Sequence, residues 1–160
     1  MDEFVIVVDT REQAPFTFQE INPPPSIIYG GLRTGDYSIQ GYELRIAIER
    51  KSLIDLFGSV GSGRKRFQRE MERMACMEFG AVVCEADWLT ILRQPPSQSR
   101  MNPKSVYATI LAWMQRYHVH WIMCPNRAFA EKTTYRMLER WYLDEAKGLH
   151  RISLEDIEDI

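Results

Sequence analysis

Two short runs in this chain are apolar almost without a break, "FVIVV" at residues 4–8 and "FGAVVCEA" at 79–86. A strand that is apolar on both faces needs cover on both faces, so these runs call for a sheet sandwiched between helices. The rest of the chain supplies the helices. "RKRFQREMERMACME" repeats at helical spacing, with Phe67, Met71 and Met74 on one face and Arg66, Arg69 and Arg73 on another. Pro103 suits the first turn of a second helix, whose stripe is Val106, Ile110, Trp113 and Tyr117. A strand "HVHWIMCP" stops at Pro125, and a long helix from about residue 128 to 146 carries Phe129, Thr133, Met137 and Trp141 at i, i+4, i+8 and i+12.

Between the first strand and the first helix the chain reads differently. "TREQAPFTF" and "NPPPS" form a loop whose prolines exclude helix. "IIYGGLRTGDYSI" is extended, with bends at Gly30–Gly31 and at Gly35, and a tight turn at Gln40–Gly41 joins it to the strand "YELRIAIE". Ser52 is an N-cap for "LIDLF", and "GSVGSG" is a flexible break. Hairpin strands followed by alternating helices and strands predict a three-layer α/β domain. Its mixed sheet would be antiparallel at one side and parallel at the other.

Composition narrows the class. One hundred and sixty residues suffice for one domain with a genuine core, and 45% hydrophobic with 26% charged is ordinary for a soluble protein. The formal net charge of -2 argues against a generally basic nucleic-acid coat and leaves room for a local basic patch. No apolar run approaches the ~20 residues of a membrane span, and "MDEFVIVVDTRE" is too short and too acidic for a signal peptide. Cys76, Cys84 and Cys124 are odd in number and lack CxxC spacing, which favours buried thiols in a reducing cytoplasm over a disulfide or zinc site. Residues 1–148 are expected to form the domain and 149–160, ending "SLEDIEDI", a loosely held acidic tail.

The charged groups around "LRIAI" pose the functional question. In "GDYSIQGYELRIAIERKSLID" (35–55), Glu49 and Lys51 are i and i+2 on a strand and leave the same face. Asp36 starts the neighbouring strand. Strict pairing through a turn at Gln40–Gly41 sets it opposite Arg45, about four residues or ~13 Å short of Glu49, so a bend at Gly35 has to close the gap. If the carboxylates converge, their repulsion calls for a cation. Two carboxylates with water and a phosphate oxygen make a hard oxygen site for Mg²⁺ or Mn²⁺, able to acidify water and steady a scissile phosphate. Lys51 would orient or deprotonate that water, or neutralise developing charge, and Asp9 could add a third oxygen ligand. Taken alone, an "ExK" on a strand is a solvated ion pair and a Gly-Asp dipeptide is a turn; their conjunction favours the cation site.

These residues, Gly-Asp, then Glu-Arg-Lys, three residues and Asp, resemble the signature of XPF-type structure-specific endonucleases. "VIVVDTRE", "LRTGDY", "GSGRKRFQRE" and "AVVCEAD" resemble further pieces in the family's order, from residue 4 to about 125. "VDTREQAPFTF" also looks like small stand-alone bacterial and phage relatives, which implies a bacterial or phage-infected host cell. The resemblance implies a restriction-endonuclease-like, PD-(D/E)XK, fold and divalent-metal-dependent cleavage of DNA near branches or single-strand junctions. By motif position, Asp36 and Glu49 would be metal ligands, Lys51 the catalytic lysine, and Asp9 an aid to the metal through water. Arg50, Asp55, Arg11 and Glu12 would support the site, and Arg64 would hold a DNA phosphate. Family members usually add tandem helix-hairpin-helix modules, which these 160 residues do not contain. Some are inactive partners, so a non-catalytic DNA-binding or scaffold subunit is the alternative.

The segment Gly61–Arg66 leads into the helix bearing Arg69 and Arg73. Flexible glycines before a helix N-terminus offer N–H groups to a phosphate, and Arg64, Arg66, Arg69 and Arg73 can track a DNA strand. Against this, Glu70, Glu72 and Glu78 neutralise part of the face, which alone would read as solvated. His118 and His120 lack partners at ligand spacing and are read as structural. Trp113, Trp121, Trp141 and Tyr142 make the C-terminal third aromatic. Most should be core, any exposed remainder a subunit interface, and a homodimer through the C-terminal helices is the expected assembly.

Overall fold

The computed structural model describes residues 3–149. The run "VIVVD" forms β1 (Val5–Asp9), buried at every position. The proline-rich loop then brings the chain back to β2 (Ser26–Gly30), which lies parallel to β1, with Val5 beside Ser26 and Asp9 beside Gly30. The extended segment does not continue as one strand. It crosses at the end of the sheet and returns as β3 (Tyr37–Ile39), antiparallel to β1 on its other side. Next come β4 (Ile46–Lys51), antiparallel to β3, then β5 (Phe79–Cys84) and β6 (His120–Met123), both added in parallel. The sheet order is β2-β1-β3-β4-β5-β6. The sheet is mixed, as the element order implies, but its antiparallel pairs, β1-β3 and β3-β4, lie in the middle, and both sides are parallel because β2 adds to β1 in parallel.

Helices cover both faces. One face of the sheet, carrying Ala47, Val82 and Cys84, packs against α1 (Leu53–Val60), α2 (Arg64–Met74), α3 (Trp88–Arg93) and α4 (Pro103–Tyr117). The opposite face, carrying Ile46, Ile48, Ala81 and Val83, packs against α5 (Arg127–Ala146) and against Phe16, Phe18 and Ile21 of the proline-rich loop. The helical stripes on α2 and α4 are buried as the spacing predicts. Ser52 caps α1 in a reciprocal capping box with Asp55, whose Oδ2 accepts from Ser52 Oγ at 2.7 Å. The short helix α3, capped by Asp87, has no counterpart in the sequence reading; six residues are too few for periodicity to show.

Two local expectations change. The turn between β3 and β4 is not a two-residue hairpin: residues 40–45 form a longer loop, folded on itself by Tyr42 N–H to Ile39 C=O and Arg45 N–H to Tyr42 C=O bonds. On α5 the stripe Phe129, Thr133, Met137 and Trp141 is not the core face. Ala130, Thr134, Leu138 and Tyr142, one position on, are buried instead, while Phe129 is 54% exposed.

All three cysteines are free thiols; Cys84 and Cys124 are buried, whereas Cys76, expected inside, is exposed at the end of α2. Among the described residues no helix is long and apolar enough to cross a membrane. The acidic tail lies, from residue 150 on, outside the described residues.

Candidate active site

The longer loop sets the register that a tight turn would have missed. Tyr37 pairs with Ile48, which sets Asp36 level with Glu49, four residues beyond the Arg45 that a turn at Gln40–Gly41 would place opposite it. Asp36 thereby straddles Glu49: its N–H donates to Ile48 C=O at 2.8 Å, and its Oδ2 accepts the N–H of Arg50 at 2.8 Å. The loop, not a bend, closes the gap. Gly35 serves another purpose. Its φ of +76 suits glycine, and a Cβ there would stand 3.0 Å from Ile48 O and 3.2 Å from Ala47 Cβ. The absence of a side chain lets the backbone before Asp36 lie directly on β4.

Asp36, Glu49 and Lys51 line one cleft of about 300 Å³, together with Asp9, Arg11, Arg33, Arg66, Phe67, Glu70 and Arg73. Lys51 Nζ is 3.0 Å from Glu49 Oε1 and sits 4.4 Å over the ring of Phe67. The cleft gathers four carboxylates, Asp9, Asp36, Glu49 and Glu70, among basic side chains. Desolvation first, then the charges of Glu49 and Glu12, push the Asp36 carboxyl up to about 9. Glu49 is also raised, by burial and by Glu70, against the pull of Lys51. A larger cavity of about 810 Å³ lies elsewhere, and the Arg45, Glu78 and Glu145 side chains in its wall are already paired with one another.

Asp9 lines the cleft, but its oxygens are committed. Oδ1 accepts from Arg11 N and Nε at 2.7 and 2.9 Å, and Oδ2 from Arg11 Nη2 and Leu32 N at 2.9 and 2.7 Å. Burial alone would raise its pKa; the Arg11 and Leu32 hydrogen bonds outweigh that and hold it below the usual carboxylate range. Arg50 points to the other face of the sheet. Its guanidinium binds Glu12 at 3.0 and 3.1 Å and Glu85 at 3.0 Å, and Arg127 of α5 joins the same Glu85 oxygen at 2.6 Å. Asp55 is occupied by the α1 cap.

The basic residues divide. Arg66 and Arg73 line the cleft, while Arg69 is exposed beyond it. Arg64 lies against α4, with Nη1 3.1 Å from Thr109 Oγ1 and its guanidinium 5.2 Å over Trp113. His118 closes α4 in the left-handed region, and His120 stacks on Phe79 at 5.0 Å; both have structural positions.

Sequence reasoning missed Glu70, Phe67, Arg33, Glu85 and Arg127 as neighbours of these groups. Phe67 and Glu70 are i and i+3 on α2, a spacing visible in the sequence once that helix is known to face the cleft.

A six-stranded mixed sheet between helical layers, with a hairpin delivering Asp, Glu and Lys to one cleft, defines a restriction-endonuclease-like α/β domain. The chain belongs to the ERCC4 domain family, which it matches over residues 8–137. Its fold is similar to that of XPF from Aeropyrum pernix, at 22% identity and a TM-score of 0.67, over 94% of this chain and 65% of that one. XPF from Aeropyrum pernix in complex with DNA is matched at 22% identity and a TM-score of 0.64, over 94% and 68% of the respective chains. The chain thus spans about two thirds of the length of these proteins. No curated protein matches its sequence significantly.

Proposed function

We propose that this protein is a divalent-metal-dependent DNA endonuclease that hydrolyses phosphodiester bonds at branched or junction DNA. The observation that carries the reading is the convergence of Asp36, Glu49 and Lys51 in one cleft. Family membership and the fold shared with an XPF that has been captured on DNA support it.

The donor set fits Mg²⁺ or Mn²⁺. Asp36 and Glu49 are hard oxygen donors; burial first, and then their mutual charge, raise the Asp36 carboxyl, and a bound cation would offset both. Among the described residues no three His, Cys, Asp or Glu side chains form a ready cage, so water and phosphate would complete the shell, the habit of Mg²⁺. Asp36 and Glu49 would hold the ion, and Asp9, with its oxygens on Arg11 and Leu32, would assist through water. Once bound, the ion would supply Lewis-acid stabilisation of charge on the phosphodiester.

The protein's own groups do the rest. Lys51, clamped between Glu49 and Phe67, presents a positive charge where negative charge grows on the phosphate. Arg66 and Arg73 on α2, with Arg11 at the rim, would hold phosphates beside the scissile bond; Arg64 and Arg69 would track the strand further out. Arg50 and Glu12 brace β4 from behind.

On a panel of flaps, forks and junctions, cleavage is expected with Mn²⁺ or Mg²⁺ and none in chelator. Retained binding with no cutting in any metal would instead favour the scaffold reading.

The assembly we propose is a homodimer through the C-terminal helices. Tyr107, Leu111 and Met114 fall at i, i+4 and i+7 on the outer face of α4 and are 42%, 36% and 36% exposed. Met114 lies beside His120, Trp121 and Ile122 of β6, the last strand of the sheet, while Tyr107 packs edge-on against Trp88 of α3; on α5 Phe129 is also exposed. Leu111→Glu combined with Met114→Glu is expected to halve the mass measured by light scattering and leave the circular dichroism unchanged. A parent that is monomeric at micromolar concentration would sink this assembly.

A further inference from the structure

We propose that Glu70 is a positioning residue for the Asp36–Glu49 pair, an inference that rests on the reading of the cleft given above. Glu70 lies on α2, in the helical layer, and Asp36 lies in the hairpin. Its Oε1 accepts the N–H of Gly35 at 2.7 Å, and the guanidinium of Arg73 holds its other oxygen. The Glu70 side chain is 16% exposed.

The peptide before Asp36 needs this contact. Gly35 is buried at a φ of +76, and a buried N–H without an acceptor loses its bond to water with nothing in exchange. Asp36 itself is fixed by three bonds from the sheet: its N–H to Ile48 O, its C=O from Asp9 N and its Oδ2 from Arg50 N, each 2.8 Å. All three come from strands β1 and β4. The Glu70 bond comes from α2 and fixes the turn from the side that faces the cleft. It therefore sets the direction from which Asp36 enters the cleft towards Glu49. A carboxylate beside two others is a poor choice for a purely structural acceptor, since its charge raises Glu49; Arg73 offsets it locally.

Two readouts on the whole chain test this. The first is Mn²⁺ affinity, followed by electron paramagnetic resonance. Glu70→Ala is expected to bind Mn²⁺ roughly 10–100-fold more weakly than the parent, the usual loss when a group orienting a metal ligand is removed. Glu70→Gln keeps an oxygen for Gly35 and is expected to stay within about threefold of the parent on the same scale. The second readout, independent of metal, is amide exchange at Gly35 without Mn²⁺. It should be slow in the parent and in Glu70→Gln, and faster by at least about tenfold in Glu70→Ala, as a lost hydrogen bond of ~1.4 kcal/mol requires.

Parent-like Mn²⁺ affinity in Glu70→Ala, or a Glu70→Gln as weak as Glu70→Ala, overturns the proposal. If the parent itself takes up no Mn²⁺, the metal reading of the cleft fails. Gly35 exchange then still decides on Glu70, and equal protection in the parent and Glu70→Ala overturns its role.

Discussion

Asp36→Asn is expected to fold, to melt above the parent in chelator, and to cut branched DNA at least about 10²–10³-fold more slowly. The stability gain and the activity loss have one source. Asp36 is largely shielded from water beside Glu49 and Glu12, and desolvation first, then those two charges, push its carboxyl up to about 9. An amide removes the cost of burying that charge and the repulsion with it, and its oxygen still accepts the Arg50 N–H that anchors the carboxylate at 2.8 Å. The gain should be on the order of 1 kcal/mol, or roughly 2–4 °C for a chain of this size. The loss follows because an amide is a far poorer partner for a divalent cation than a carboxylate. Thermal unfolding in chelator and cleavage with Mn²⁺ measure the two sides separately. A variant that cuts DNA at the parent's rate would remove Asp36 from the proposed chemistry, whatever its melting temperature.

Gly35→Ala should show the largest fall in stability. The residue is at φ +76, and the added methyl would stand 3.0 Å from Ile48 O and 3.2 Å from Ala47 Cβ. Backbone and core surround it, and neither can move far. Strain in the left-handed region and the steric conflict together are expected to cost about 2–4 kcal/mol. The accompanying displacement of Asp36 from Ile48 and Arg50 should abolish Mn²⁺-dependent cleavage. Gly41→Ala is the internal control. It too has positive φ, +84, but open space around its Cβ position, so it should show the backbone strain without the steric part. Chemical denaturation of the two variants separates these contributions, and equal losses would show that crowding at position 35 is unimportant.

The layers of the fold were legible because burial leaves simple patterns. Residues 5–8 and Phe79–Cys84 are apolar on both faces and, Phe79 apart, end up buried inside the fold. Val106, Ile110, Trp113 and Tyr117 recur at helical spacing and are all buried. On α5 the same reasoning chose a neighbouring stripe, because Phe129 and Trp141 are larger than Ala130 and Thr134. Size marks hydrophobicity, but small residues are what allow a helix to approach a sheet closely.

The site was legible in residue type and less so in geometry. Asp36, Glu49 and Lys51 share a cleft, but the reason, a loop over residues 40–45 that shifts the pairing by four, has no strong local signature. "QGYELR" contains a glycine that satisfies a two-residue turn equally well. Glu70 escaped because a glutamate on an arginine-rich helix looks like surface neutralisation until the tertiary fold turns that helix towards the hairpin. Arg127 escaped for the same reason: its partner Glu85 is 42 residues away in sequence.

The alternation of β4 also bears on how the site can be dissected. Glu49 and Lys51 look into the cleft, while the Arg50 side chain looks the other way, to Glu12 and Glu85. Yet the peptide N–H of Arg50 is what grips Asp36. Side-chain scanning at position 50 therefore reports on the brace behind the sheet and is blind to the contact in front of it. Only a change to the main chain itself, such as replacing that amide by an ester, would expose how much of the carboxylate's placement the strand backbone provides.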